Sequence, residues 1–183
     1  MILNSRYNTY DFRFPRNFIP EEVADKYRKY LAKIPGNIMA EPIDFVNYSV
    51  QGLNVPGINF DPVTQNDWDG TTRYHRGSQP IQNTVERQFT VTMQLLDGFI
   101  NYWIMQDTLL YYYSRGTKDP FTQDLTLRVL DAEGASVAFF KFENPIMNSI
   151  NELTLNMSDN IADFSTFEVT FYYNKIDLQI EID

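Results

Sequence analysis

The sequence contains no cysteine, which removes disulfides and thiolate metal ligands together. It contains one histidine, His75, so there is no His pair for zinc and no obvious Ser-His-Asp set. Flanked by Tyr74 and Arg76, that histidine reads as an interface residue rather than a base. Asp69-Gly70-Thr71-Thr72 and Arg115-Gly116-Thr117-Lys118 lack the glycine spacing of a phosphate loop. Asp61, Asp67 and Asp69 lack the Asp-x-Asp-x-Asp-Gly order of a calcium loop. No segment approaches the roughly 20 apolar residues of a membrane span, and the opening MILNSRYNTYDFRF has no apolar signal core. These absences predict a chain that is not an enzyme, has no cofactor, metal or membrane span, and is made in a cytoplasm.

Charge is abundant but uneven. Residues Met1 to Pro42 hold seven Lys or Arg against five acids, a net of +2, whereas the remainder holds eight against nineteen, a net of −11. Affinity for nucleic acid comes chiefly from cations neutralising phosphates. An acidic body is therefore a poor nucleic-acid clamp.

Alternation is the strongest positive signal. Phe167, Val169, Phe171 and Tyr173 fall on one face of a strand, with Thr166, Glu168, Thr170 and Tyr172 on the other. From Val85 to Leu95, Val85, Phe89, Val91, Met93 and Leu95 alternate in the main with Glu86, Gln88, Thr90, Thr92 and Gln94. Asp97-Gly98 stops that strand, and apolar residues at helical spacing predict a helix from Phe99 to Ser114. Of the tyrosines Tyr111, Tyr112 and Tyr113, at least one must face solvent or a partner. Further strands are expected over Asp124 to Leu130, Ala135 to Phe142, Glu152 to Asn156 and Phe164 to Tyr173, with a hairpin turn at Asp131 to Gly134.

Residues 1–42 form an N-terminal arm. Pro20 in a first turn, Glu21 and Glu22 at the positive end, and Lys29 near the close predict a short helix from Pro20 to Leu31. Before it, Tyr7, Tyr10, Phe12, Phe14 and Phe18 are interspersed with charge; such a segment has no core of its own and is expected to pack on the body or on a neighbour. Residues 56–80 make a polar connection longer than the usual 12 to 15 residues, the length at which loops are commonly functional. It carries Trp68, Arg73, Tyr74, His75 and Arg76, including the residue types enriched at interface anchors. Residues 177–183 read as an acidic tail.

Three stretches carry a family likeness: RQFTVTMQLLDG (Arg87 to Gly98) leading into a helix, the closing run IADFSTFEVTFYYN (Ile161 to Asn174), and IDFVNYSVQGLNVPGI (Ile43 to Ile58). Together they resemble the tail tube proteins of contractile phages, the family typified by the major tube protein of T-even phages. The resemblance covers Ile43 to Ile176 and leaves the arm unassigned. It implies that Ile43 to Ile58 supplies the first strand and its Pro-Gly turn, and that residues 56–80 grip an adjacent ring. It further implies hexameric, stacked rings that join sheath and baseplate proteins in a virion tail and let DNA pass without specific binding. Glu86, Gln88, Thr90, Thr92, Gln94, Glu168 and Thr170 would then line the lumen.

The expected fold is mainly β: two packed antiparallel sheets, as a sandwich or partly open barrel, over residues 43–176, with one flanking helix and the helix-bearing arm. Besides the tube subunit, two readings fit: a tube-initiating or baseplate adaptor of the same fold, and a carbohydrate-binding β-sandwich whose aromatics stack on sugars.

Overall fold

The computed structural model describes residues 10–34, 36, 39–55, 57, 62–76, 87–114, 123–153 and 165–180. Strands β1 (Tyr10–Arg13), β6 (Leu125–Leu130), β7 (Ser136–Glu143) and β10 (Lys175–Ile180) form one antiparallel sheet in the order β1-β6-β7-β10. Strands β2 (Val50–Asn54), β5 (Gln88–Gln94), β8 (Ile146–Ile150) and β9 (Thr166–Tyr172) form a second, in the order β2-β5-β9-β8. A separate two-stranded ribbon pairs β3 (Val63–Asn66) with β4 (Thr72–His75). Three α-helices accompany them: α1 (Glu21–Leu31), α2 (Pro42–Tyr48) and α3 (Ile100–Ser114). The chain is thus mainly β, as two packed open sheets with no closed barrel among the described residues.

The alternation in β5 and β9 sets the core. Their register pairs Phe89 with Phe171, Val91 with Val169 and Met93 with Phe167, all buried. Phe89 then stacks on Phe142 of the opposite sheet at 4.3 Å and on Phe171 at 5.1 Å. This aromatic column joins the sheets, and Tyr173 closes it edge-on against Phe142.

The N-terminal aromatics complete the same core. Phe12, Phe14, Phe18 and Ile19 are buried, with Phe14 5.9 Å from Phe171 and 4.5 Å from Phe18. Asn47 of α2 fixes this approach, accepting the Phe14 N–H at 2.8 Å and donating to its carbonyl at 3.2 Å. Of the two packings open to the arm, residues 10–19 take the one against their own body. α1 forms as expected and buries Val23, Ala24, Tyr27 and Leu31.

Three expectations need correction. The stretch expected as a first strand begins as α2: Pro42 sits at a helix start, where its missing N–H costs nothing, and Ile43 and Val46 bury at helical spacing. Packing of that face overrides the strand preference of Ile, Phe and Val, and extended chain begins only at Val50. The stretch from residue 177 is not all tail, because Asp177 to Ile180 belong to β10, paired with Lys141 to Ala138. The strand expected from Glu152 lies earlier, at β8; Glu152 and Leu153 are in no strand, and residues 154–156 lie outside the described residues.

The strand-to-helix junction is held by Asn101. Its amide donates to the Gln94 carbonyl at 2.6 Å and its Oδ1 accepts the Leu96 N–H at 3.2 Å, while Gly98 takes the left-handed conformation, φ 70°, that the tight turn requires. Tyr113 is the exposed member of the tyrosine run. Tyr112 donates to the Phe18 carbonyl at 3.4 Å, and its burial raises its pKa.

Candidate assembly interface

The ribbon β3–β4 brings together Trp68, Arg73, Tyr74, His75 and Arg76, all exposed. Its turn folds locally: the Asp67 N–H donates to the Thr71 carbonyl at 2.9 Å, Gly70 supplies φ 83°, and Asp69 Oδ1 accepts the Thr71 N–H at 2.9 Å. That last bond holds the Asp69 carboxyl below its usual range. Arg73 pairs with Asp67 at 2.8 Å, and His75 Nε2 lies 3.1 Å from Gln65 Oε1. Every residue of both strands is exposed, and Trp68 is 100% exposed at the tip. An isolated hairpin is marginally stable in water. A ribbon with this many bare side chains is suited to an external partner.

The predicted lining residues occupy one face of the second sheet. Register sets Thr90 beside Thr170, Thr92 beside Glu168, Gln94 beside Thr166 and Gln88 beside Tyr172. This face is the reverse of the buried Phe89–Phe171 face. Glu168 is exposed, and Gln88, Thr90, Thr92, Gln94 and Thr170 are half-buried; Glu86 lies outside the described residues. The surface is thus one of hydroxyls and amides with a single carboxylate among the described residues of β5 and β9. The outer face of the first sheet is different, bearing ion pairs of both signs: Arg13–Asp11 at 2.9 Å and Lys175–Glu143 at 3.4 Å, with Lys141–Asp124 at 2.8 Å beside them.

Among the described residues both sheets end in unpaired edges, β1 and β10 in the first, β2 and β8 in the second. On β10, Leu178 and Ile180 are exposed although they continue the apolar row of Phe142 and Phe140 on the neighbouring strand. Sequence reading missed this edge because Asp177 and the final acids drew attention from the alternation of Ile176, Leu178 and Ile180. Trp103 and Leu110, apolar members of the predicted helical spacing, are exposed on α3, and Tyr30 is exposed on α1. Among the described residues no group of three or more His, Cys, Asp or Glu is placed to hold a metal ion, and no helix is long and apolar enough to cross a membrane.

No protein-family model matches the sequence, and no curated protein matches it significantly. Among solved structures, the chain is similar to the tube-terminating cap of the anti-feeding prophage, at 12% identity over 72% of this chain and 80% of that one, TM-score 0.47. It is also similar to a chain in the extended sheath–tube complex of an extracellular contractile injection system, at 13% identity over 72% and 81%, TM-score 0.47. A third neighbour is Hcp1 from Flavobacterium johnsoniae, at 13% identity over 72% and 86%, TM-score 0.33.

Proposed function

We propose that this chain is a structural subunit of a phage-type tail tube, forming hexameric rings that stack into a channel for DNA. The observation that carries the reading is the second sheet: among the described residues its outer face is polar and nearly neutral, and both its edges are unpaired. An open edge is a template for another strand, and a head-to-tail contact between unlike edges closes into a ring when the rotation permits. In this reading β8 of one copy pairs with β2 of the next, and Gln88, Thr90, Thr92, Gln94, Glu168 and Thr170 turn inward, with Glu86. Hydroxyls and amides keep the wall wet, and carboxylates repel phosphate without gripping it.

The ribbon carrying Trp68, Arg73, Tyr74, His75 and Arg76 serves as the inter-subunit contact. Its exposure and its independence from the body support that role. Sheath and baseplate proteins complete the set of tail partners, and the chain acts in the virion tail without catalysis. Negative-stain microscopy and native mass spectrometry of the concentrated protein test the reading: hexameric rings or short tubes are expected. A protein that stays monomeric at every concentration overturns it.

A further inference from the structure

The burial stripe of α1 leaves two flanks. One carries Glu21, Asp25 and Arg28, and is closed on itself because Arg28 binds Glu21, Asp25 and Glu41. The other carries Glu22, Lys26, Lys29, Tyr30 and, in the following turn, Lys33. This second flank adjoins α3, where Asp107 accepts from both Lys26 and Tyr27. The helices run antiparallel, since Tyr112 reaches Phe18 while Asp107 reaches Tyr27. Tyr30 therefore lies level with Trp103, one turn before Asp107, and Leu110 continues the row one turn after it. All three are exposed. Lys29 and Lys33 edge this strip, and neither pairs with a carboxylate among the described residues.

The ribbon tip has the complementary chemistry. Trp68 is fully exposed and sits between Asp67, already bound to Arg73, and Asp69, whose carboxylate is held in place by Thr71. We propose that the tip of one copy docks on the helix strip of a second copy, with Trp68 against Tyr30 and Trp103 and Asp69 between Lys29 and Lys33. The contact rests on the reading of the ribbon as an inter-subunit element, and it identifies the acceptor. A second copy fits because one short turn sets an exposed aromatic ring beside a fixed carboxylate, matching the strip's exposed aromatics and the two lysines that pair with no carboxylate among the described residues. Aromatic anchors ringed by charge are the usual composition of an energetic centre.

The absence of cysteine makes the test clean. Asp69→Cys plus Lys33→Cys in one chain, treated with a short thiol crosslinker, should give a ladder of covalent multimers, with either single variant stopping at the dimer. In parallel, Lys29→Glu plus Lys33→Glu, or Asp69→Lys, should weaken association about tenfold, and all three changes together should restore it. Lys29 and Lys33 are exposed, so thermal unfolding of the Lys29→Glu plus Lys33→Glu variant should be unchanged. If Trp68→Ala abolishes association while Lys29→Glu plus Lys33→Glu leaves it intact, the ribbon reading stands and the acceptor is overturned. The acceptor is equally overturned by a ladder from Asp69→Cys plus Arg128→Cys, on the outer face of the first sheet, with none from the Lys33 pair. Normal association by Trp68→Ala overturns both.

Discussion

Phe89 and Trp68 mark the two extremes of aromatic environment. Phe89 is 1% exposed and stacked on both sides, so Phe89→Ala should cost about 3–5 kcal/mol in denaturant unfolding, combining lost transfer energy with an unfilled cavity. Trp68→Ala should change subunit stability by no more than about 0.5 kcal/mol, as surface changes usually do, whereas assembly should suffer. Asp124 provides a pH-dependent contribution. Its bond to Lys141 holds its carboxyl below the usual range, helped by the Asn144 N–H. A lowered folded-state pKa means stability fully present above the ordinary aspartate value and lost as pH falls through the depressed one. The gap in melting temperature between wild type and Asp124→Asn should therefore narrow as pH is taken from neutral to below 3.

At the level of elements, legibility followed periodicity. β5, β9 and α3 were readable because a buried face repeats every second residue in the strands and a helical spacing follows Asp97-Gly98. The β6–β7 turn was readable because Asp131 and Gly134 are turn residues with a mechanism: Asp131 Oδ1 accepts the N–H groups of Glu133 and Ala135 at 2.8 Å each, and Gly134 takes φ 86°. α2 was not, because strand-preferring residues fill a helix whose reason for existing is a neighbour distant in sequence. The arm was legible as a helix and a cluster of aromatics, but the destination of its rings depended on Asn47 and Phe171. Because those rings fill the domain's own core, Phe14→Ala plus Phe18→Ala should destabilise the whole domain, lowering the denaturant midpoint, rather than merely impair assembly. A variant with native stability but defective association would return the arm to a role between subunits.

For the whole molecule, the two outer sheet faces offer a choice of lumen. The hydroxyl and amide face is the proposed channel wall, and Glu168→Lys tests that assignment. Repeated around a ring, the substitution would place a belt of cations on the wall, so DNA exit should slow, most at low ionic strength, where phosphate contacts are strongest. Ejection kinetics indifferent to both the substitution and salt would move the lumen elsewhere. Which face lines a channel was not legible in the sequence, since Thr90 and Glu168 declare only that they are not in the core.

The ribbon tip and the helix strip are different surfaces, and that difference gives any column built from them a direction. One end would present bare tryptophans and the other bare helix strips, so growth rates at the two ends would differ, as they do for any polar filament. A nucleating complex would need to match only one kind of end. A terminating molecule bearing a strip but no tip would stop elongation at the end that presents bare tryptophans, and could do so at a stoichiometry far below that of the subunit.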